Sequence, residues 1–127
     1  MKDDKKWKEK LNAEEFAVLR EKGTEPPFTS CHLSEKRSGT YECRACEQEL
    51  FKSKKKFESG SGWPSFWEPA SETCLNKTED VSHGMMRVEV TCSRCGSHLG
   101  HVFPDGPPPT GERYCINGLA LHFTAEP

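Results

Sequence analysis

A small, mainly β domain with an N-terminal helix is the fold class this sequence predicts, built as an antiparallel, barrel-like sheet arrangement around a structural metal site. Three observations predict it. Arg87 to Thr91 sets apolar Val88 and Val90 between polar Arg87, Glu89 and Thr91, the period of a half-buried strand. Two turn-rich stretches, Ser59-Gly60-Ser61-Gly62 and Asp105-Gly106-Pro107-Pro108-Pro109, interrupt the strand-like segments. Two Cys-x-x-Cys pairs, Cys43/Cys46 and Cys92/Cys95, stand far apart in the β region, where one ion can join them.

Along the chain, Met1 to Lys10 holds five lysines and reads as a solvated arm, followed by one domain over residues 11–127. A helix starts next. Asn12 can cap it, Glu15 stands where a capping box closes, and Leu11 and Phe16 occupy the positions of a hydrophobic staple. Phe16, Val18 and Leu19 are its inward candidates, and it ends near Gly23 before Pro26-Pro27. Gly23 to Ser38 reads as an extended loop containing Cys31. Thr40 to Cys43, Arg87 to Thr91, Arg113 to Gly118 and Leu119 to Phe123 are the strand candidates.

Apolar residues make up 33% of the chain and charged residues 30%, so a hydrophobic core alone would be thin and a metal cross-link is a sensible supplement. The net charge of −2 argues against nucleic acid or a membrane surface as the main partner. There is no apolar run of the ~18 residues that a membrane span needs. Seven cysteines with no secretory signal at Met1 to Lys10 lead to the expectation of a cytoplasmic protein, whose thiols bind metal or react.

The four paired cysteines suit one tetrahedral, structural zinc ion, and Gly96 after Cys95 fits the tight turn of a zinc knuckle. The alternatives are two redox dithiols or four unconnected thiols. A redox Cys-x-x-Cys opens a helix in a βαβ setting, and neither pair has one.

Cys115 is a different kind of thiol. On a strand, Arg113, Cys115 and Asn117 share one face while Tyr114 and Ile116 point the other way. A guanidinium beside the thiol is expected to lower its pKa, and Asn117 can donate to a negative group. Upstream, His98 and His101 can supply a proton, but they have opposite parity, so both face the site only if the strand is bulged or bent at Gly100. Asp105 can orient a histidine or hold Arg113. Each of these residues alone also fits an ordinary structural role; together they make a reactive thiol.

Cys43-x-x-Cys46, Gly62-Trp63-Pro64-Ser65-Phe66, Cys92-x-x-Cys95-Gly96, His98-Leu99-Gly100-His101-Val102-Phe103-Pro104-Asp105-Gly106 and Arg113-Tyr114-Cys115-Ile116-Asn117, in that order, resemble the B-type methionine sulfoxide reductases. The resemblance runs from about Asn12 to Phe123. It implies a β fold with one zinc on the four paired cysteines, no organic cofactor, and reduction of the R epimer of methionine sulfoxide in peptides and proteins. It implies Cys115 as nucleophile, Trp63 against the sulfoxide methyl, His98 and His101 near the sulfoxide oxygen, and Asp105, Arg113 and Asn117 as supporting groups. Thioredoxin is the reductant it implies. Nothing in the sequence demands an oligomer, so a monomer is expected.

One position departs from the pattern. Many members of that family carry a second redox cysteine two residues before the tryptophan, where this chain has Ser61. Cys31, in the loop that can swing over the site, is the favoured resolving thiol, giving a Cys31–Cys115 disulfide. Cys74 and direct reduction by an external thiol are the other routes. Two further functions compete: a non-catalytic zinc-binding interaction module, and a Cys/His acyl-transfer enzyme, for which no oxyanion-hole motif is evident.

Overall fold

A computed structural model describes residues 5–81 and 86–126 of the chain. These residues form two short helices and nine strands, all paired antiparallel. Helix α1 spans Lys5–Lys10 and α2 spans Ala13–Glu21. The capping box at α2 is closed from both sides: the Glu15 amide donates to Asn12 Oδ1 at 2.8 Å, and the Asn12 amide donates to Glu15 Oε1 at 3.1 Å. Lys22 ends the helix in the left-handed region, with Gly23 after it. Leu11, Phe16, Val18 and Leu19 are all buried.

The N-terminal segment corrects the expectation of a solvated arm; of that arm, residues 1–4 lie outside the described residues. In α1 the single apolar residue, Trp7, is buried in the common core, with the Lys6 ammonium 4.6 Å from its ring and Arg20 of α2 on it as well. Lysine density misled because one indole, packed and flanked by cations, is enough to dock a short helix.

Sheet one has the order β2-β1-β9, with β1 Gly39–Cys43 between β2 Glu49–Lys52 and β9 Leu121–Ala125. Sheet two runs β3-β4-β8-β7-β6-β5 and comprises β3 Lys56–Phe57, β4 Ser65–Phe66, β5 Leu75–Asp80, β6 Arg87–Cys92, β7 His98–Phe103 and β8 Arg113–Ile116. Aromatic side chains close the two sheets on each other. Phe51 of sheet one stacks on Phe66 of sheet two with centroids 4.3 Å apart, and Tyr41 and Tyr114 meet the same pair edge-on or tilted. All four are essentially inaccessible to solvent.

Strand β8 alternates as its sequence indicates: Tyr114 and Ile116 enter the core, and Arg113 and Cys115 face the other way. The C-terminal strand begins later than expected, because Gly118–Ala120 forms a 3-10 turn between β8 and β9. Glu49–Lys52 and Leu75–Asp80 are strands that the sequence pattern did not mark. The β5 segment has an almost wholly exposed pattern, with only Leu75 buried, so it carries no apolar alternation to read. Among the described residues no helix is long and apolar enough to cross a membrane.

Candidate active site and metal centre

The two Cys-x-x-Cys turns are built alike. In each, the first cysteine's amide donates to a carbonyl five residues on, Gln48 in one and Ser97 in the other. Its own carbonyl accepts from the residue four on, Glu47 or Gly96. Both of these fourth residues have positive φ, 68° at Glu47 and 77° at Gly96. The repeated turn aims two sulfurs outward from each pair.

The four sulfurs come together within 4.8 Å of one another, with Cys43–Cys95 at 3.7 Å and Cys46–Cys92 at 3.5 Å. A tetrahedron of metal–sulfur bonds near 2.3 Å has edges of about 3.8 Å, so this donor set fits one four-coordinate ion. The four thiols share their protons unevenly: hydrogen bonding from Cys43 pushes the Cys46 thiol down to about 6 and, with Cys92, pushes Cys95 down, while the same bonds push Cys43 itself up, and Cys92 is pushed up as well. Arg20 donates to the Cys95 carbonyl and Ser97 Oγ, both at 2.9 Å, and Gln48 Nε2 donates to Cys92 Sγ at 3.2 Å. These contacts fix the ligand turns from outside.

Cys115 lies in the middle of sheet two, with Ser65 of β4 opposite it on one side and His101 of β7 on the other. It opens into a cavity of about 110 Å³ lined by Thr24, Trp63, Arg87, Gly100, His101, Phe103, Cys115 and Asn117. That is room for about four water-sized groups. A larger cleft of about 1000 Å³ lies between Ser38, Lys52, Lys77 and Tyr114. It is on the opposite face of β8 from Cys115 and has no thiol or imidazole in its lining.

The two histidines meet because β7 is bulged. Val90 pairs with Gly100 and Thr91 with His98, leaving Leu99 as the extra residue. The rings come within 5.6 Å of each other, edge to face. The bulge expected at Gly100 therefore sits one residue earlier. Glycine at 100 serves another need: a Cβ there would collide with the Cys115 carbonyl.

Each imidazole is held by a carboxylate that the sequence reading missed. Glu89 Oε2 lies 2.8 Å from His98 Nδ1, and Asp80 Oδ2 lies 2.9 Å from His101 Nε2, close to Arg87 as well. Their pairing depends on the β5–β6–β7 register, which no local motif encodes. His98 is buried, and burial pushes its pKa down against the pull of Glu89. His101 lines the cavity; His98 stands behind it.

Asp105 holds Arg113, not a histidine, through both carboxylate oxygens at 2.9 and 3.3 Å, and the guanidinium stacks 4.5 Å from the Phe103 ring. The Cys115 thiol itself departs from expectation. Burial pushes its pKa up, and the Ser61 hydroxyl and the Arg113 charge offset this only in part. Asn117 is buried and its amide is engaged at both ends: Oδ1 accepts from the Glu25 amide and Nδ2 donates to the Leu99 carbonyl. Trp63 stands on the cavity wall with its indole N–H donating to the Glu25 carbonyl at 2.9 Å.

The remaining thiols lie outside the cavity. Cys31 is exposed, one residue after Ser30, which abuts Gly118 near the end of β8. Cys74 is buried, donating to the Leu50 and Ser71 carbonyls, beside the metal turns. The sheet register separates it from Cys115 by three strands, about 14 Å, and by four residues along β5, about 13 Å. A disulfide needs Cα atoms within about 7 Å, so this corrects the alternative in which Cys74 resolves Cys115.

Comparison with known proteins adds a further finding. The SelR domain matches residues 11–125. A protein of Saccharophagus degradans is 55% identical over 98% of this chain and 93% of its own length. One from Pseudomonas putida is 57% identical over 92% of this chain and 88% of its own length. One from Methanosarcina mazei is 56% identical over 98% of this chain and 89% of its own length. All three are named peptide methionine sulfoxide reductase MsrB.

Proposed function

The chain belongs to the SelR-domain family, and from that premise we propose that it is a peptide-methionine (R)-S-oxide reductase with Cys115 as nucleophile. The observation that carries this reading is the cavity in which Cys115, His101 and Trp63 share one small lining. About four non-hydrogen groups fit it, which is the size of the methyl, sulfur, oxygen and γ-methylene of methionine sulfoxide.

In this reading the methyl lies against Trp63 and the oxygen faces His101. A sulfoxide sulfur becomes electrophilic when its oxygen is protonated, and the imidazole supplies that proton while the Cys115 sulfur attacks. The sulfoxide sulfur gains two electrons and leaves as methionine. The attack joins the two sulfurs; the oxygen then passes to the Cys115 sulfur as that bond and the methionine sulfur–oxygen bond break, so Cys115 loses two electrons and ends as a sulfenic acid. His98, Asp105, Arg113 and Asn117 shape the electrostatics and walls around that step. The Cys31 thiol then condenses with the sulfenic acid, forming the disulfide and releasing water. A dithiol such as thioredoxin returns both cysteines to thiols. Cys31 must travel to the cavity, so this step includes movement of the loop that carries it.

The ion on Cys43, Cys46, Cys92 and Cys95 is read as zinc, a closed structural site that takes no part in the chemistry. The expectations of oxidised-methionine proteins and peptides as substrates, a monomer, and a reducing, cytoplasmic setting belong to the same reading. The test offers each peptide-bound sulfoxide epimer to zinc-loaded protein with dithiothreitol, with Cys115→Ser as control. Turnover of the R epimer alone, lost in the variant, is the expected result. No turnover of either epimer by folded protein would move the binding-module reading to first place.

A further inference from the structure

We propose that Glu25 is a positioning residue for the substrate cavity, tying the tryptophan wall, the asparagine and the turn after β8 into one rigid frame. This rests on the reading of the cavity as the sulfoxide site. Glu25 is 3% exposed, and every polar group it has is engaged. Its carbonyl accepts from Trp63 Nε1 at 2.9 Å, and its amide donates to Asn117 Oδ1 at 2.9 Å. Its two carboxylate oxygens accept from the Gly118 and Leu119 amides, each at 2.8 Å. Asn117 carries the connection on, donating to the carbonyl of Leu99, the bulged residue between the two histidines. A continuous set of hydrogen bonds thus runs from the wall that meets the methyl to the strand that carries the proton donor.

The spacing between those two elements decides which epimer places its oxygen at His101, so a shift in Glu25 is read in substrate affinity. A buried carboxylate with two backbone donors is a strong anchor, because neutral replacements leave a donor unsatisfied. Glutamine keeps the length but sets an NH₂ against one of the two amides. Aspartate keeps the charge and both acceptors, but its reach is shorter by one methylene. The carboxylate also opposes formation of the Cys115 thiolate. Removing its charge therefore has an effect that mere loss of a turn cap would not have.

The experiment measures steady-state KM and kcat for the R epimer, and the pH profile of Cys115 alkylation by iodoacetamide, on zinc-loaded wild type, Glu25→Gln and Glu25→Asp. For Glu25→Gln the expected result is a KM rise on the order of tenfold that exceeds any fall in kcat, with the alkylation midpoint moved to lower pH. For Glu25→Asp a KM rise at an unchanged midpoint is expected. Unchanged KM and midpoint in folded Glu25→Gln, whatever its thermal stability, would reduce Glu25 to a turn cap and overturn the proposal. If the glutamine variant does not fold, unchanged KM in the aspartate variant overturns it. If wild type reduces neither epimer, the functional reading fails and the Glu25 proposal, which rests on it, falls with it; if wild type is active, only the variants decide.

Discussion

The Ser61 hydroxyl stands 3.9 Å from the Cys115 sulfur. It does not stand alone. Ser59 Oγ lies 2.8 Å from Ser61 Oγ and 2.6 Å from Ser65 Oγ, so three hydroxyls form a chain that ends at the thiol. A hydroxyl at this position cannot form a disulfide, but it can donate to a thiolate, and it offsets part of the upward push of burial on Cys115. Ser61→Ala should therefore move the Cys115 alkylation profile to higher pH and slow alkylation at neutral pH about threefold. Iodoacetamide trapping across pH, read by mass spectrometry, measures it; an unmoved profile would make the hydroxyl chain a turn scaffold only.

Asp80, not Asp105, is the carboxylate that grips the cavity histidine. Asp80→Ala should cost on the order of tenfold in kcat/KM on the sulfoxide, because His101 loses the partner that fixes its ring. Asp105→Ala should cost less, since its exposed carboxylate reaches the site only through Arg113. Parallel kinetics of the two variants decide the order, and a greater loss at Asp105 would restore the role the sequence allowed it.

The sequence pattern reaches the site where chemistry is local and stops where it is not. The capping box at Asn12 and Glu15, the alternation of β8 and the doubled Cys-x-x-Cys are written in adjacent residues. Glu25, Asp80 and Glu89 act on partners brought near by strand register and by a loop laid across the sheet, so nothing beside them in the chain announces it. The Cys115 pKa failed for a related reason. Arg113 is visible two residues away, but the burial that outweighs it depends on how the chain folds around the cavity.

Two buried imidazoles predict how stability depends on pH. Burial pushes the folded pKa of His32 and of His98 below the ordinary 6.5. The unfolded chain takes up protons at these two sites below pH 6.5, while the folded chain resists. Stability is therefore full above that value and falls as pH drops from 6.5 toward the folded values. Glu35, held down to about 2 by Arg37, adds its own loss only as pH falls toward the ordinary 4.5 of the unfolded chain and below, so the histidines carry most of this window. Thermal melts should show Tm falling between pH 7 and 5. His32→Asn should flatten that slope; an unflattened slope would assign the loss to other groups.

Removal of the metal should unfold the protein, not merely inactivate it. The four sulfurs tie β1 of one sheet to β6 of the other, and the apolar content is low for a chain of this size. Chelation should lower Tm by well over ten degrees, and Cys95→Ser should copy the effect without chelator. Calorimetry with metal analysis measures both, and an apo protein with unchanged Tm would sink the structural assignment.

In the proposed cycle, resolution of a Cys115 sulfenic acid separates the remaining thiols. Cys74 is packed beside the metal turns, with its thiol bonded to the Leu50 and Ser71 carbonyls; bringing it to Cys115 would require tearing β5 from the sheet. Cys31 is exposed on the loop whose neighbouring Ser30 already touches the turn after β8, so only that loop has to move. Cys31→Ser should keep a single turnover with the R epimer, accumulate a sulfenic acid that dimedone traps, and lose multiple turnover with thioredoxin. Cys74→Ser should recycle like wild type. Peptide mapping after one turnover without reductant should give the Cys31–Cys115 bridge. If Cys31→Ser still cycles fully with thioredoxin, the external thiol reaches the sulfenic acid directly and the chain has no internal resolving cysteine.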